Sequence, residues 1–195
     1  MFVAGEFHMA ILSQKALIRV DIQNDFLANS SVAIARAQEI IPNVNVLSCN
    51  PFFKLVVDIR DCHKPTHKSF AKWGPHCIEG SYGYQPPNSL YLSNNIKLFH
   101  KGIDDNVDTL SGFENPELLS YLLVEEIQSI YIVGLALDFC VLSTAIDASK
   151  YNFATYIILD ACKGINVNMD NLAFQKKLTS LGIKTLKTAD ILSLK

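Results

Sequence analysis

Four apolar, strand-like runs of this sequence are each followed by a side chain that can take part in covalent chemistry. These four residues are Asp21, Asp61, Lys101 and Cys140. A cysteine reacts as its thiolate, and a nearby cation or a helix N-terminus lowers the pKa of the thiol. A carboxylate within hydrogen-bond reach can take the thiol proton and later return it to a leaving amine. The set therefore indicates nucleophilic catalysis by Cys140, with Asp21 as the base and Lys101 as the neighbouring cation.

A second group of residues has the composition of a metal site. Asp61 and His63 are two positions apart, so in an extended segment their side chains face the same side and can reach one ion. His76 could return across the following loop as a third ligand, whereas His67 is interpreted as a structural or supporting residue. Two imidazoles and one carboxylate leave coordination positions open, which suits Zn, Mn or Fe. A polar strand end and a loop histidine would explain the same residues without a metal.

The elements that must bring these residues together follow from hydrophobic periodicity. Strands are predicted over Ala16 to Val20, Leu55 to Arg60, Ile96 to His100, Ile130 to Gly134, Thr155 to Leu159 and Ile183 to Leu186. Helices are predicted over Val32 to Ser48 (after a cap at Ser30 or Ser31), Pro116 to Ile127, Phe139 to Tyr151 and Met169 to Leu181. This alternation predicts an α/β fold with a doubly wound, mostly parallel six-stranded sheet and helices on both faces. Ligands bind such sheets beyond the carboxyl ends of the strands.

Composition limits the class of protein. The 195 residues favour one domain over 1–195, and 49% hydrophobic residues can build a sizeable core. The net charge of −2 and the absence of a long basic run argue against nucleic acid as a partner. No apolar run approaches the ~20 residues that span a bilayer, and the first ten residues lack a signal-peptide pattern. We therefore expect a cytoplasmic protein that binds no membrane, and the sequence is compatible with a homo-oligomer.

The cysteines and one arginine give two further expectations. The five cysteines include no C-x-x-C pair, which argues against a disulfide framework. Cys49 and Cys162 are interpreted as small buried residues. Arg19 interrupts an otherwise apolar strand, so its guanidinium group needs a buried partner that the sequence does not identify.

Several spaced motifs, taken in order, resemble those of the nicotinamidases in the isochorismatase-like hydrolase superfamily. They are Val20 to Phe26 (VDIQNDF), Asp61 to His63 (DCH), Trp73 to Cys77 (WGPHC), Lys101-Gly102 and Gly134 to Val141 (GLALDFCV). The resemblance extends from about Ala16 to Asp160. Family residues are replaced here by Cys62, Lys64, Gly74 and Leu137, but none of these departures removes a residue of the two groups described above.

The resemblance implies a site and a reaction. It implies a catalytic triad of Cys140, Asp21 and Lys101, and a divalent metal, Zn being favoured, on Asp61, His63 and His76. It also implies a cis peptide between Leu135 and Ala136, which would direct the N–H groups of Ala136 and Cys140 into an oxyanion hole. The implied reaction is deamidation of nicotinamide to nicotinate and ammonia in NAD salvage, through a thioester that water activated by the ion hydrolyses. Phe26 and Trp73 are candidates to stack on the substrate ring, although a role as core aromatics explains them equally well.

Two other functions remain open at this point. A related amidohydrolase would act on a carbamoyl or ureido substrate, while isochorismatase chemistry is disfavoured because enzymes performing it do not use this cysteine. A non-catalytic metal-binding or thiol-sensing module could use the same fold. Release of ammonia from nicotinamide separates the enzyme from the module, because only an enzyme turns over.

Overall fold

A computed structural model describes residues 14–27, 30–166 and 171–194. Its six strands are β1 (Lys15–Val20), β2 (Leu55–Asp61), β3 (Lys97–Lys101), β4 (Ser129–Leu135), β5 (Ala154–Lys163) and β6 (Lys184–Leu186). They form one sheet in the order β3-β2-β1-β4-β5-β6, and every pair is parallel. The strand order reverses between β1 and β4, so this sheet is doubly wound as predicted, and the reversal is the point where such folds bind ligands.

Helices cover both faces of the sheet, which confirms the predicted layers. The α-helices are α1 (Asn24–Leu27), α2 (Ile41–Ser48), α3 (Phe70–Trp73), α4 (Pro116–Val124), α5 (Leu142–Lys150), α6 (Leu172–Ser180) and α7 (Thr188–Leu192). Residues of α4, α5 and α6 pack into one hydrophobic cluster, and residues of α2 and α7 pack into another. Within β1, Ile18 belongs to the first cluster and Leu17 to the second. Because side chains alternate along a strand, the central strand is apolar on both sides.

The first predicted helix is shorter than expected. Instead of capping a helix, the Ser30 hydroxyl accepts a hydrogen bond from the Val32 N–H (3.1 Å) in a local turn. Arg36 then adopts a left-handed conformation with φ 60°, and only a 3₁₀ turn follows it before α2 begins at Ile41. The side-chain bond of Ser30 competes with helix formation, which explains the difference. At the other end of the chain, Met169, the predicted start of the last helix, lies outside the described residues.

Arg19 has the buried partner that its position requires. Its Nε lies 2.5 Å from Asp58 Oδ1 on the neighbouring strand, and its Nη1 donates to Ser48 Oγ (3.1 Å) and to the Tyr91 carbonyl (2.8 Å). Asp58 also receives a bond from Arg60 Nη2 at 2.9 Å. The guanidinium group is therefore compensated by a carboxylate of the neighbouring strand, a hydroxyl of α2 and a loop carbonyl, while its Nη2 has no hydrogen-bond partner among the described residues.

All five cysteines are free, as expected. Cys162 is buried as predicted, but the prediction for Cys49 was wrong because Cys49 is exposed. It directly follows the last residue of α2, in the connection that leads to β2. In the described ranges of the chain, no helix is both long and apolar enough to cross a membrane.

Candidate active site

The four strand-end residues meet at the carboxyl edge of the sheet. Lys101 Nζ lies 3.0 Å from Asp21 Oδ2, 2.5 Å from Asp61 Oδ1 and 3.6 Å from Cys140 Sγ. All four residues are buried, with exposed fractions between 0% for Asp21 and 8% for Cys140. One ammonium group therefore contacts two carboxylates and a thiol in a part of the protein that excludes most water.

The position of Asp21 depends on a close approach of β1 and β4. Gly134 of β4 is the register partner of Val20, and a Cβ on this glycine would lie 2.1 Å from the Val20 carbonyl oxygen. Directly after Val20, Asp21 adopts a left-handed conformation with φ 52°, while its N–H still bonds to the Ile59 carbonyl at 2.9 Å. Backbone strain of this kind at a non-glycine residue is concentrated at functional sites.

Cys140 lies in a π-helical turn, Leu137–Val141, that connects β4 to α5. The turn is closed by the Val141 N–H, which donates to the Ala136 carbonyl at 3.1 Å. The peptide bond between Leu135 and Ala136 is cis, as the family resemblance implied. Single π-helical turns of this type are frequent at functional sites.

The thiol of Cys140 differs from the sequence expectation. Burial raises its pKa well above the usual value, and the negative charge of Asp21 adds to this effect, whereas Lys101 acts in the opposite direction. The expectation of an acidified thiol considered the cation and the helix start, but not complete burial beside two carboxylates. The group is therefore a thiol in the free site, and it needs a base before it can attack a substrate.

Asp21 has the properties of that base. Burial raises the pKa of its carboxyl group to about 7, the charge of Lys101 opposes this increase, and Asp61 adds to it. Neither carboxylate oxygen accepts a well-aligned hydrogen bond from any residue that the structure describes, although Oδ2 is ion-paired with Lys101. A carboxylate with a pKa near neutrality is able to accept and to donate a proton at physiological pH.

Asp61, His63 and His76 form the cluster that the sequence predicted for a metal. Their ligand atoms all lie within 4.8 Å of one another, and all three side chains are buried. Nδ1 of His63 lies 3.0 Å from the Gly102 carbonyl, and Nδ1 of His76 lies 2.7 Å from the Gly74 carbonyl. A carbonyl can only accept, so each Nδ1 carries the hydrogen and each neutral ring offers its Nε2 lone pair to an ion. The donor set therefore fits an open divalent site.

The protonation of the two histidines differs. Burial lowers the pKa of His76 and favours the neutral ring that binds metals. Burial also acts to lower the pKa of His63, but the carboxylate of Asp61, 3.7 Å from His63 Nε2, outweighs it and raises the pKa. A divalent ion competes with a proton for this lone pair, so metal binding at His63 releases a proton when the ring is charged.

His67 does not belong to the cluster. Its Nδ1 lies 2.7 Å from Ser69 Oγ and its Nε2 lies 3.0 Å from the Asp104 carbonyl, so both ring nitrogens have partners. The ring lies beside that of His63, with a centroid distance of 4.1 Å and a tilt of 38° between the two planes. His67 thus has the supporting position that the sequence analysis assigned to it.

A small cavity opens in front of these groups. Its volume is about 230 Å³, which is below the ~300 to 1,000 Å³ of pockets for drug-sized ligands. Cys140 and the three candidate metal ligands line it, while Asp21 and Lys101 are buried next to them and do not reach the cavity surface. Both predicted aromatic residues, Phe26 and Trp73, line the cavity as well. The cavity suits a small, partly aromatic molecule.

Sequence analysis missed several residues that shape the site. Thr109 and Asp108 line the cavity, and Asp108 Oδ2 accepts a hydrogen bond from Trp73 Nε1 at 3.1 Å. No local pattern indicated either of them. Gly102, by contrast, was already named in the Lys101-Gly102 motif. Its φ is 71°, and a Cβ there would lie 2.3 Å from His63 Cε1. Only glycine leaves room for the imidazole ring at this position.

Comparison with known proteins agrees with this geometry. Residues 15–190 match the isochorismatase domain. The nicotinamidase of Acinetobacter baylyi is 34% identical, with 96% of this chain and 99% of that protein covered. Two solved structures superpose with a TM-score of 0.82. The pyrazinamidase of Pyrococcus horikoshii in complex with zinc is 31% identical, with 89% of this chain and 99% of that chain covered. PnC1 of L. infantum in complex with nicotinate is 29% identical, with 90% of this chain and 93% of that chain covered.

The expected resemblance to nicotinamidases is therefore confirmed over most of the chain. The match of the domain, the parallel sheet order and the convergence of the strand-end residues agree with one another. This chain belongs to the isochorismatase family of hydrolases.

Proposed function

We propose that this protein is a nicotinamidase, which hydrolyses nicotinamide to nicotinate and ammonia in NAD salvage. The observation that carries the proposal is that Cys140 opens on the same small cavity as the Asp61, His63 and His76 cluster, with Asp21 and Lys101 directly behind it. A thiol supported by a base suits acyl transfer, and the similarity to nicotinamidases identifies the carboxamide.

Both halves of the reaction use Cys140 and Asp21. Asp21 takes the proton of the Cys140 thiol while the sulfur attacks the carboxamide carbon. Collapse of the tetrahedral intermediate breaks the C–N bond, and Asp21 returns the proton to the leaving ammonia. This leaves a thioester between Cys140 and the nicotinoyl group. In the second half, water attacks the thioester and gives up one proton to Asp21. The C–S bond then breaks, Asp21 returns that proton to the departing sulfur, and the acid leaves as nicotinate after losing its remaining proton to solvent.

Lys101 and two backbone N–H groups stabilise the charges that develop. Lys101 Nζ contacts both Asp21 and Cys140, so its positive charge stabilises the sulfur anion and keeps the pKa of the base from rising further. We assign the oxyanion hole to the N–H groups of Ala136 and Cys140, because both residues line the cavity, Ala136 directly before the π-helical turn and Cys140 within it. Removal of one such donor in other enzymes costs about 10²- to 10³-fold in kcat.

Asp61, His63 and His76 would hold one divalent ion, for which we favour Zn²⁺ over Mn or Fe. The ion would supply Lewis-acid activation of water and a positive charge at the cavity wall. The chain prepares the site through the two backbone carbonyls that fix the imidazole rings. Asp61 is held from its other side by Lys101, so the second oxygen of the carboxylate is directed towards His63. The zinc complex of the Pyrococcus pyrazinamidase supports the choice of metal.

Phe26 and Trp73 are proposed to position the pyridine ring. Trp73 packs edge-to-face against Phe139 with a centroid distance of 5.6 Å, and Phe26 packs against His76 at 6.0 Å. These contacts fix the two rings while part of each still borders the cavity. An aromatic substrate would gain offset or edge-to-face contacts with them.

The test is ammonia release from nicotinamide by the purified chain supplied with Zn²⁺, with nicotinate measured by chromatography. Cys140→Ala should abolish turnover and leave thermal unfolding unchanged, whereas Cys49→Ala, at an exposed cysteine that does not line the cavity, should remain fully active. Turnover by Cys140→Ala would contradict the nucleophile. Turnover of a ureido compound but not of nicotinamide would replace the proposed substrate.

Three further proposals concern the whole protein. We propose a single domain over 1–195, because both hydrophobic clusters pack on one sheet. We propose a cytoplasmic location, which five free cysteines suit. The ligand is a small molecule, and neither nucleic acid nor membrane is proposed as a partner; gel filtration with light scattering would decide between a monomer and a homo-oligomer.

A further inference from the structure

The short segment between β1 and α1 contains polar residues that the proposed reaction leaves without a role. Gln23 is completely buried and Asn24 nearly so, and both follow Asp21 closely in the chain. We propose that Gln23 and Asp25 are positioning residues that set the affinity of the metal site. This inference rests on the metal site of the proposed function, but it does not depend on which substrate the enzyme hydrolyses.

The side chain of Gln23 extends the hydrogen bonding of the sheet beyond the end of β1. The Asp61 N–H donates to Gln23 Oε1 at 2.9 Å, and Gln23 Nε2 donates to the Asp61 carbonyl at 2.8 Å. The side-chain amide thus pairs with both backbone polar groups of Asp61, as a neighbouring strand would do. Without it, two buried backbone groups would lose their partners. Gln23 Nε2 also donates to the Tyr84 carbonyl at 3.0 Å, so the same amide connects this strand end to the loop beyond the histidines.

Asp25 fixes the segment that carries both histidines. Its Oδ2 accepts from the Cys77 N–H at 2.7 Å, and the Cys77 carbonyl accepts from the His63 N–H at 3.0 Å. Cys77 directly follows His76 and adopts a left-handed conformation with φ 47°. A charge-assisted bond from Asp25 can hold this unfavourable conformation. Through Cys77, the carboxylate therefore sets the relative positions of His63 and His76.

The Asp25 carboxylate has room because residue 83 is a glycine and has no side chain. A Cβ on Gly83 would lie 1.9 Å from Asp25 Oδ2, so only glycine permits the carboxylate to reach the Cys77 N–H. Together, Gln23 and Asp25 connect the ligand segments to the strand end that carries Asp21. One short stretch of chain thus orients both the base and the metal ligands, although it contributes no ligand itself.

Asn24 offers a matched control. Its Nδ2 donates to the Tyr82 carbonyl at 2.9 Å, so it also holds the loop, but within the described part of the chain its side chain makes no hydrogen bond to Asp61, His63, His76 or Cys77. If the segment served only the fold, loss of any of these bonds would lower stability and leave the metal affinity of the folded protein unchanged. If it positions the ligands, only Gln23 and Asp25 should affect that affinity.

The experiment measures the Zn²⁺ dissociation constant of the full chain by competition with a chromophoric chelator, together with thermal unfolding of the metal-free protein. Gln23→Met and Asp25→Ala should each weaken Zn²⁺ binding by about 10- to 100-fold, the usual effect of losing a partner that orients a ligand. Asp25→Asn keeps an acceptor oxygen and should remain within about threefold of wild type. Asn24→Ala should also bind Zn²⁺ within about threefold of wild type, whatever its effect on stability.

If Gln23→Met does not fold, the pair Asp25→Ala and Asp25→Asn decides by itself. Equal Zn²⁺ affinity in Asp25→Ala and wild type would overturn the proposal, and so would an equal loss in Asn24→Ala. A wild-type chain that binds no Zn²⁺ would overturn the metal site and this inference together. Failure of nicotinamide hydrolysis with the expected Zn²⁺ affinities would instead contradict the proposed substrate alone.

Discussion

The ammonium group of Lys101 lies 3.0 Å from Asp21 Oδ2, and neither side chain has any exposed surface. Removing two charges from water is costly unless they compensate one another. Burial acts to lower the pKa of Lys101, but the charge of Asp21, together with that of Asp61 as a second carboxylate on the same ammonium group, raises it well above its usual range. Lys101 is therefore charged throughout the physiological pH range, and Asp21 is the member of the pair that can exchange a proton.

The unit formed by Asp21 and Cys140 predicts non-additive losses. Asp21→Asn and Cys140→Ala should each reduce kcat/KM for nicotinamide by at least about 10³-fold, because a nucleophile and its base fail together. The double variant should be no more than about threefold slower than either single variant. Steady-state ammonia release measures all three. Losses that multiply in the double variant would show that Asp21 is not the base for Cys140.

The pKa of Asp21 predicts an acidic limit of activity. A base must be ionised, so kcat/KM should fall about tenfold per pH unit below a pH of about 7. Lys101→Gln removes the cation that lowers this pKa, so the limit should move to higher pH in that variant. A pH–rate profile of both proteins provides the measurement, and an unchanged profile in Lys101→Gln would contradict the role of the cation.

The same pKa predicts a pH-dependent stability. The pKa of Asp21 is about 7 in the folded chain, and an Asp in an unfolded chain has a pKa of about 3.9. The folded chain therefore binds more protons between these values, and the free energy of unfolding contributed by Asp21 falls as the pH rises through this window. Asp21→Asn should lose this decrease. Urea unfolding of both metal-free proteins across the window tests it, and parallel curves would contradict the raised pKa.

The donor cluster predicts which histidines hold the metal. His63→Ala and His76→Ala should each lose the divalent ion, because each removes one of three ligands. His67→Ala should keep it, since both nitrogens of that ring already have protein partners. Elemental analysis of the purified variants gives the metal content. Chelation of wild type should stop turnover without unfolding the protein, and full metal content in His76→Ala would remove it from the ligand set.

The cavity aromatics predict an effect on substrate binding. Phe26→Leu and Trp73→Leu should each raise KM for nicotinamide by about 2- to 10-fold, the value of a lost aromatic contact. Trp73→Phe keeps a ring but loses the bond to Asp108, so it separates stacking from that hydrogen bond. Steady-state kinetics on the three variants decides. A lower melting temperature with an unchanged KM would assign both residues to packing only.

The buried arginine predicts a large effect on stability. Arg19→Met leaves Asp58 without one of its two cations and should lower the free energy of unfolding by about 3 to 5 kcal/mol. Arg36→Met breaks the exposed pair with Glu39, which water screens, and should leave the free energy of unfolding nearly unchanged. Denaturant unfolding compares the two, and equal effects would contradict the role of burial.

Much of the fold could be predicted from the sequence because local patterns encode it. Alternating apolar runs identified all six strands, and the positions of Asp21, Asp61, Lys101 and Cys140 after four of them predicted the edge at which they meet. In parallel strands the carboxyl ends must lie at the same edge, so this convergence follows from the fold class. The spacing of Asp61 and His63 likewise predicted two ligands on one side.

What the sequence could not determine depends on contacts between distant segments. The pKa of Cys140 is set by burial and by carboxylates on other strands, and the partners of Arg19 lie 29, 39 and 72 residues away. The start of α2 was predicted too early because the Ser30 turn and the left-handed Arg36 override the helical pattern. The roles of Gln23 and Asp25 became visible only once the tertiary structure placed them against Asp61 and Cys77, because a side chain that completes another segment's backbone hydrogen bonds leaves no periodic pattern in the sequence.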